Sequence, residues 1–355
     1  VLNGAGAAAV ALIGAEYLTP IVFPGAAPTT ATVQVTAVGL ILGLLVINYL
    51  GIKTGAWAQN ILSVLKVVMI GLLAAAAFLS KKAPEVPASL PLDKPWFFAL
   101  GVAFIYVFYA YGGYQNTINF GADVRDARRN VPRAIFFGIL VVLACYLTIN
   151  AAYVKTLGVP GIAAAKLVAA ETARVTLGET GRLVVSLAIF LSAMGFLNVT
   201  LMQIPRVYYS MAEDRTLPAI FQKVNPKTQT QEFGLLFLGA IILVSIFLLK
   251  TFENIVNYVM FLDTITLAVV SSSIFFLRRK AKLAGEVYTG YRIPLYPVLP
   301  LVFVVFMLVI AGNVLATQTR EALYGAAFFA FGFPVFLLMR RVSRGASGTA
   351  GDTPA

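Results

Sequence analysis

An all-α integral membrane protein with about ten membrane-spanning helices is the fold class the sequence predicts. Hydrophobic residues fill 59% of the 355 positions and charged residues only 12%, where a soluble domain carries roughly 25% charge. Mean hydropathy is +0.86. The apolar residues are gathered into runs of about 20, the length that crosses a hydrocarbon core as a helix, and the charges fall between the runs.

Taken in chain order, the runs lie near 4–23, 32–51, 56–79, 97–121, 134–154, 183–206, 233–250, 254–277, 295–316 and 322–339. Polar or Pro/Gly-rich breaks separate them, and their ends carry an uncertainty of a few residues. The connection 155–182 is longer than the others. Its stretch Gly161 to Leu177, with Ala, Lys and Glu, predicts a short helix at the membrane surface. Residues 1–341 read as a single transmembrane domain, and the Ala/Gly/Ser/Thr tail 342–355 as disordered. The chain opens at Val1 inside an apolar run with no basic flank, so it resembles neither a signal peptide nor a natural start. It reads as a fragment.

The basic residues predict orientation, because cytoplasmic loops hold the excess of Lys and Arg. One set of alternate loops plus the C-terminus holds 17 of them, including Lys53, Arg125, Arg206, Arg278 and Arg340, and the other set holds 9. The C-terminus and the 122–133 loop are therefore expected in the cytoplasm, and the localisation is the plasma membrane. The net charge of +12 then expresses topology and attraction to anionic lipid headgroups. No Lys/Arg stripe interleaved with exposed aromatics argues for nucleic acid.

With no histidine, His proton relays, His metal sites and Ser-His or Cys-His catalysis are excluded. The single cysteine, Cys145, permits no intrachain disulfide and reads as a small packing residue within an apolar run. No cofactor or metal is expected. An integral membrane enzyme would need clustered acids or a nucleophile with its base, and a channel a filter or charged pore lining; the sequence offers neither.

Two charges lie inside spans, where each costs a few kcal/mol on insertion scales. Lys66 shares a helix face with Gln59 and Ser63, at i, i+4 and i+7. It is read either as a donor to carbonyls of neighbouring helices or as a fixed cation replacing a coupling ion. Asp263, within FLDTITLAVVSSS, is read either as a substrate or ion contact or as the buried partner of a Lys or Tyr. Glu16, near a span end, is expected at the solvated interface.

The most informative segment is FIYVFYAYGGYQNTINFGADVRDARRNVPR, Phe104 to Arg133. An apolar helix is interrupted there by Gly112 and Gly113, amid Tyr109, Tyr111, Tyr114, Gln115, Asn116, Thr117 and Asn119. A bilayer tolerates such a break only where protein or a watery cavity satisfies the freed backbone groups, and in transporters broken helices mark the substrate site. A Gly-Gly pair also serves simple close packing. The carbonyls ending the first half-helix would favour an ammonium and the N–H groups opening the second a carboxylate, which together suit an amino acid.

Four stretches carry a family resemblance: 47–67 (INYLGIKTGAWAQNILSVLKV), 108–135 (FYAYGGYQNTINFGADVRDARRNVPRAI), 195–226 (GFLNVTLMQIPRVYYSMAEDRTLPAIFQKVNP) and 331–341 (FGFPVFLLMRR). In order and spacing they resemble the amino acid–polyamine–organocation (APC) superfamily, nearest its L-type and bacterial amino acid permease branches. The resemblance implies a twelve-span, five-plus-five inverted-repeat transporter fold, of which this chain supplies spans three to twelve and lacks the first two. It implies alternating-access transport of an amino acid. It places backbone around Tyr109, Ala110, Gly112 and Gly113 at the substrate amine, with Tyr109 as an aromatic gate and Gln115 and Asn116 at the substrate side chain. Lys66 matches a span-five lysine near the sodium position of coupled relatives, and Asn198 a polar position in span eight, where Met202 and Gln203 depart from the usual small hydroxyl residues. Asp263 occupies a position commonly neutral in the L-type branch, which would favour a cationic amino acid or polyamine. A non-transporting remnant or sensor is the alternative, because half of the implied site has no counterpart here. Neither an accessory subunit nor an oligomeric state is legible.

Overall fold

The computed structural model describes residues 2–23, 29–51, 56–80, 96–113, 124–285 and 293–317, with four single positions beyond. Nine α-helices occupy the described residues: α1 (Leu2–Val22), α2 (Thr30–Tyr49), α3 (Ala56–Leu79), α4 (Trp96–Ala110), α5 (Ala127–Ala164), α6 (Val168–Glu213), α7 (Glu232–Leu249), α8 (Phe252–Leu283) and α9 (Val298–Thr317). Each overlaps one of the first nine predicted runs, α4 falling short of its run and α5 and α6 extending well beyond theirs. The tenth run and the 342–355 tail lie almost wholly outside the described residues.

Six of these helices are long and apolar enough to cross a membrane, and two shorter apolar helices accompany them. The protein is a multi-pass membrane protein. Its surface says the same: α7 buries Leu235, Leu238, Ile242 and Ile246 along one stripe while Leu236, Val244, Phe247 and Leu248 face outward. A helix apolar on all sides is at home only in a protein core or in lipid.

The chain divides into two compact units. The first comprises 1–88, 152–255 and 326–355 and is built on α1, α2, α6 and α7, with α3 against α6. Helix α1 is its axis because its side chains are small. Ala8, Ala9, Ala11 and Ala15 are completely buried, and a Cβ added at Gly4 or Gly14 would collide with Ile241 or press on Ala193. Small residues let membrane helices approach closely, where packing rather than water drives association. The second unit comprises 89–151 and 256–325. Within it α4 packs on α9, with Phe104 set edge-on against Phe306 at 5.7 Å.

Three contacts inside the first unit test the alternating topology. Glu16, near the end of α1, pairs with Lys166 of the α5–α6 connection at 3.4 Å. Lys155 donates to the Phe78 carbonyl at the end of α3 and sits over the Phe78 ring. Gly51, past the end of α2, lies against Thr228 in the α6–α7 connection. Each contact joins positions near span ends or in connections that the predicted up-and-down path puts on one side. Glu16, expected at the solvated interface, has a lysine as its partner.

The 155–182 connection differs from its expected form. Helix α5 continues to Ala164 and α6 begins at Val168, leaving only a short non-helical link. Two glycines with positive φ, Gly158 (67°) and Gly178 (78°), interrupt the helices, so the expected surface helix is realised as the stretch before Gly178. Gly178 lies at a kink that divides α6 into two helical segments, 168–177 and 179–213. The segment before Gly178 precedes the predicted span 183–206. It carries the exposed pair Glu171–Arg174 (3.0 Å), and Arg174 draws the Glu171 carboxyl below its ordinary range by hydrogen bonding.

Candidate functional site

Helix α4 stops at Ala110, partway along an apolar run that the sequence continues to residue 121. Tyr111 to Gly113 turn away from the helix axis. The amide of Tyr111 still reaches the Val107 carbonyl at 3.1 Å, while the Gly112 amide bonds the Tyr109 carbonyl at 3.0 Å in a tighter, three-residue closure. Gly113 then takes φ +103°, a conformation in which a Cβ is strained and glycine is not. Helix α4 thus ends in a turn at Tyr111–Gly113, and the part of the expected break beyond Gly113, residues 114–123, lies outside the described residues.

A helix end leaves its last carbonyls without intrahelical partners, and these carry its negative partial charge. At α4 one of them is held from a neighbouring helix: the Tyr146 hydroxyl of α5 donates to the Ala110 carbonyl at 2.9 Å. The Tyr146 ring lies edge-on to Tyr111 at 5.3 Å. Tyr146 thus braces the turn on both sides, backbone and ring. A carbonyl oxygen has two lone pairs, so this bond leaves Ala110 able to accept from a second donor such as an ammonium. Tyr109 is half-buried, and Ala110, Gly112 and Gly113 are exposed. Gln115 and Asn116 lie outside the described residues.

Asp263 belongs to the same unit, on α8. Its flanks Leu262 and Thr264 are fully packed, and Thr264 spends its hydroxyl on the Met260 carbonyl at 2.8 Å; Asp263 itself is half-buried.

Lys66 and Asn198 belong to the other unit. Lys66, half-buried on α3, faces α6 across a small void of about 10 Å³ lined by Leu65, Met69, Ala188, Leu191 and Ser192, room for about one water. Ser63, on the same face, is more exposed, and the Gln59 side chain lies outside the described residues. Asn198 is buried on α6 and accepts from the Asn48 side-chain amide of α2 at 2.9 Å, while its own amide approaches the Met202 sulfur at 3.7 Å. Asn48 also donates to the Leu44 carbonyl. The unusual Met202 is thus a hydrogen-bond acceptor for Asn198.

Two residues escaped the sequence reading. Tyr146 and Asn48 are polar side chains inside apolar runs, and that position is the signal that singles them out once charges are not the only criterion. Their partners, 36 and 150 positions away, have no trace in the spacing.

A family model described as amino acid permease matches residues 1–333, and the chain belongs to that family. It is 27% identical over 311 residues to the serine/threonine exchanger SteT of Bacillus subtilis, covering 87% of this chain and 70% of that protein. It is 28% identical over 238 residues to an uncharacterized transporter of Mycobacterium bovis, covering 67% of this chain and 52% of the relative. It is 23% identical over 338 residues to the mouse b(0,+)-type amino acid transporter 1, covering 93% and 67%. The matched part therefore spans between 52% and 70% of the length of these relatives. The all-α architecture, without strands among the described residues, is the one the family resemblance implies.

Proposed function

We propose that the protein is a secondary amino acid transporter, a permease or exchanger, that works by alternating access in the plasma membrane with its C-terminus in the cytoplasm. The single observation that carries this reading is the arrest of α4 at Ala110, with its carbonyl end turned out by Gly113 and braced by Tyr146. Non-helical backbone at membrane depth is tolerated where protein or a watery cavity satisfies it, and in transporters such helix ends meet the substrate. Family membership and the similarity to a serine/threonine exchanger support the same activity.

In this reading the carbonyls around Tyr109 and Ala110 hold the substrate amine, Gly112 and Gly113 give it access, and Tyr109 closes over it. Gln115 and Asn116 meet the substrate side chain. Asp263 supplies a negative charge for a cationic side chain, which directs attention to arginine, lysine and diamines. Lys66 and Asn198 stiffen the scaffold at the place of a coupling ion.

The test is uptake of labelled arginine, serine, leucine and putrescine by the full-length protein in proteoliposomes, with and without internal amino acid. Uptake stimulated by internal substrate identifies an exchanger. No uptake of any of them by folded, incorporated protein would sink the reading. Arginine uptake unchanged by Asp263→Asn would remove the cationic assignment and leave transport itself intact.

A further inference from the structure

The C-terminal end of α8 carries more chemistry than its topology needs. Arg278, Arg279, Lys280 and Lys282 follow the apolar run directly, and Gly285 (φ +68°) ends the helix beyond them. Lysines in the last turn offset the helix's negative end, and basic residues at a membrane boundary satisfy the positive-inside bias. Neither effect selects a side of the helix.

The structure does select one. A cleft of about 410 Å³ opens between α8 and the start of α9, lined by Ser271, Ile274, Ile293, Leu299 and Phe303 among others. That volume is within the range of about 300–1,000 Å³ usual for ligand sites, and every one of these linings except the serine hydroxyl is apolar. Ser271, Ile274 and Arg278 stand at i, i+3 and i+7, so they form one row up the same face of α8, and Lys282 continues it one turn further. Arg278 is placed rather than loose. Its guanidinium lies 4.0 Å from the centre of the Tyr296 ring, a cation–π contact, and Phe275 packs on the same ring at 5.9 Å. Arg279 and Lys280 project from other sides of the helix.

We infer that this cleft binds one anionic phospholipid, with an acyl chain along Ser271, Ile274 and Phe303 and its phosphate at Arg278 and Lys282. The cleft is apolar, Val270 and Leu299 in its lining are largely exposed, and Arg278 stands one turn beyond Ile274 on the same face of α8. An apolar slot capped by positive charge at the depth of the headgroups is complementary to an anionic lipid and to little else that a membrane contains. Juxtamembrane basic clusters draw such lipids in general; the inference here is a stoichiometric site on one face.

The experiment compares two charge-matched variants of the full chain by native mass spectrometry after reconstitution in phosphatidylcholine with one fifth phosphatidylglycerol. Arg278→Gln/Lys282→Gln removes two charges from the cleft face, and Arg279→Gln/Lys280→Gln removes two from the other sides. The expected result is one retained phosphatidylglycerol per chain, weakened roughly tenfold or more by the first pair and little by the second. A third variant, Ile274→Trp, fills the cleft with the charges intact and is expected to expel the lipid. Thermal unfolding in detergent, expected to be similar for all three, separates lost binding from lost folding. Equal weakening by both charge pairs would reduce the site to general electrostatic attraction and overturn it. Unchanged retention in Ile274→Trp, or a cross-link showing the cleft filled by residues 322–339 of the same chain, would overturn it as well.

Discussion

Tyr146 does for the end of α4 what the next turn of helix would otherwise do: it gives the Ala110 carbonyl a donor. A hydrogen bond of this kind contributes about 0.5–1.5 kcal/mol, and inside membranes measured values average about 0.6. Tyr146→Phe keeps the ring against Tyr111 and removes only the donor. It is expected to lower amino acid uptake by roughly three- to tenfold with protein abundance unchanged, as read by uptake per incorporated protein; a parallel fall in abundance would make Tyr146 a folding residue instead. The Asn48–Asn198 bond is a different case, because both side chains are buried. Asn48→Ala leaves the Asn198 oxygen without that donor, at a cost of about 1–3 kcal/mol visible as earlier thermal unfolding. Pairing it with Asn198→Leu is expected to recover much of that stability, since removing both partners avoids the orphaned group. At this scale the sequence disclosed residues whose type is conspicuous, such as Gly113 past the end of α4 and Lys66 in an apolar helix. It did not disclose Tyr146 or Asn48, whose importance lies in a partner supplied by another helix.

At the scale of elements, glycine substitutions separate conformation from space. Gly113 and Gly51 both hold positive φ, at 103° and 73°. Among the described residues a Cβ at Gly113 would meet nothing within 4 Å, whereas one at Gly51 would come within 2.8 Å of the Thr228 side chain and 2.9 Å of its carbonyl oxygen. Gly113→Ala therefore carries only the backbone strain, about 1–2 kcal/mol, and is expected to reduce uptake by redirecting the turn while the protein still folds. Gly51→Ala adds a collision with backbone and is expected to lower the unfolding temperature more than Gly113→Ala does. The surface stretch of α6 makes a pH prediction. Glu171 has a depressed carboxyl pKa in the folded state, so its contribution is present above the unfolded carboxyl's pKa and lost as pH falls through the folded one. The pair is exposed, so the effect is small and screened by salt. Amide exchange across 168–177 is expected to quicken below about pH 4 and on adding salt, with the spans unaffected. The helices themselves were legible because a 20-residue apolar run has one stable form in lipid. The 155–182 connection was misjudged for the converse reason: hydropathy registers where the bilayer ends, whereas helical hydrogen bonds continue through Ala-rich sequence until Gly158 and Gly178 interrupt them.

For the whole molecule, the division of the chain assigns the end of α4 and Asp263 to one unit and Lys66 with Asn198 to the other. If Lys66 acts in coupling, Lys66→Ala is expected to slow turnover more than it lowers abundance, and equal losses would return it to a packing role. The orientation proposed for the whole rests on the distribution of 17 basic residues against 9, and the contacts Glu16–Lys166, Lys155–Phe78 and Gly51–Thr228 within the first unit are compatible with the alternation that count assumes. Alternation would decide which loops share a side; charge says which side is the cytoplasm. Single cysteines in a Cys145→Ser background separate the two statements. A membrane-impermeant maleimide added to intact cells is expected to label Lys166→Cys and Lys250→Cys at once, and Lys227→Cys and Arg279→Cys only after permeabilisation. Complete reversal would invert the protein and move the lipid cleft of α8 to the outer leaflet while leaving the fold untouched. Labelling of Lys166→Cys together with Lys227→Cys, on opposite ends of α6, would instead break the alternation and with it the count of spans between them.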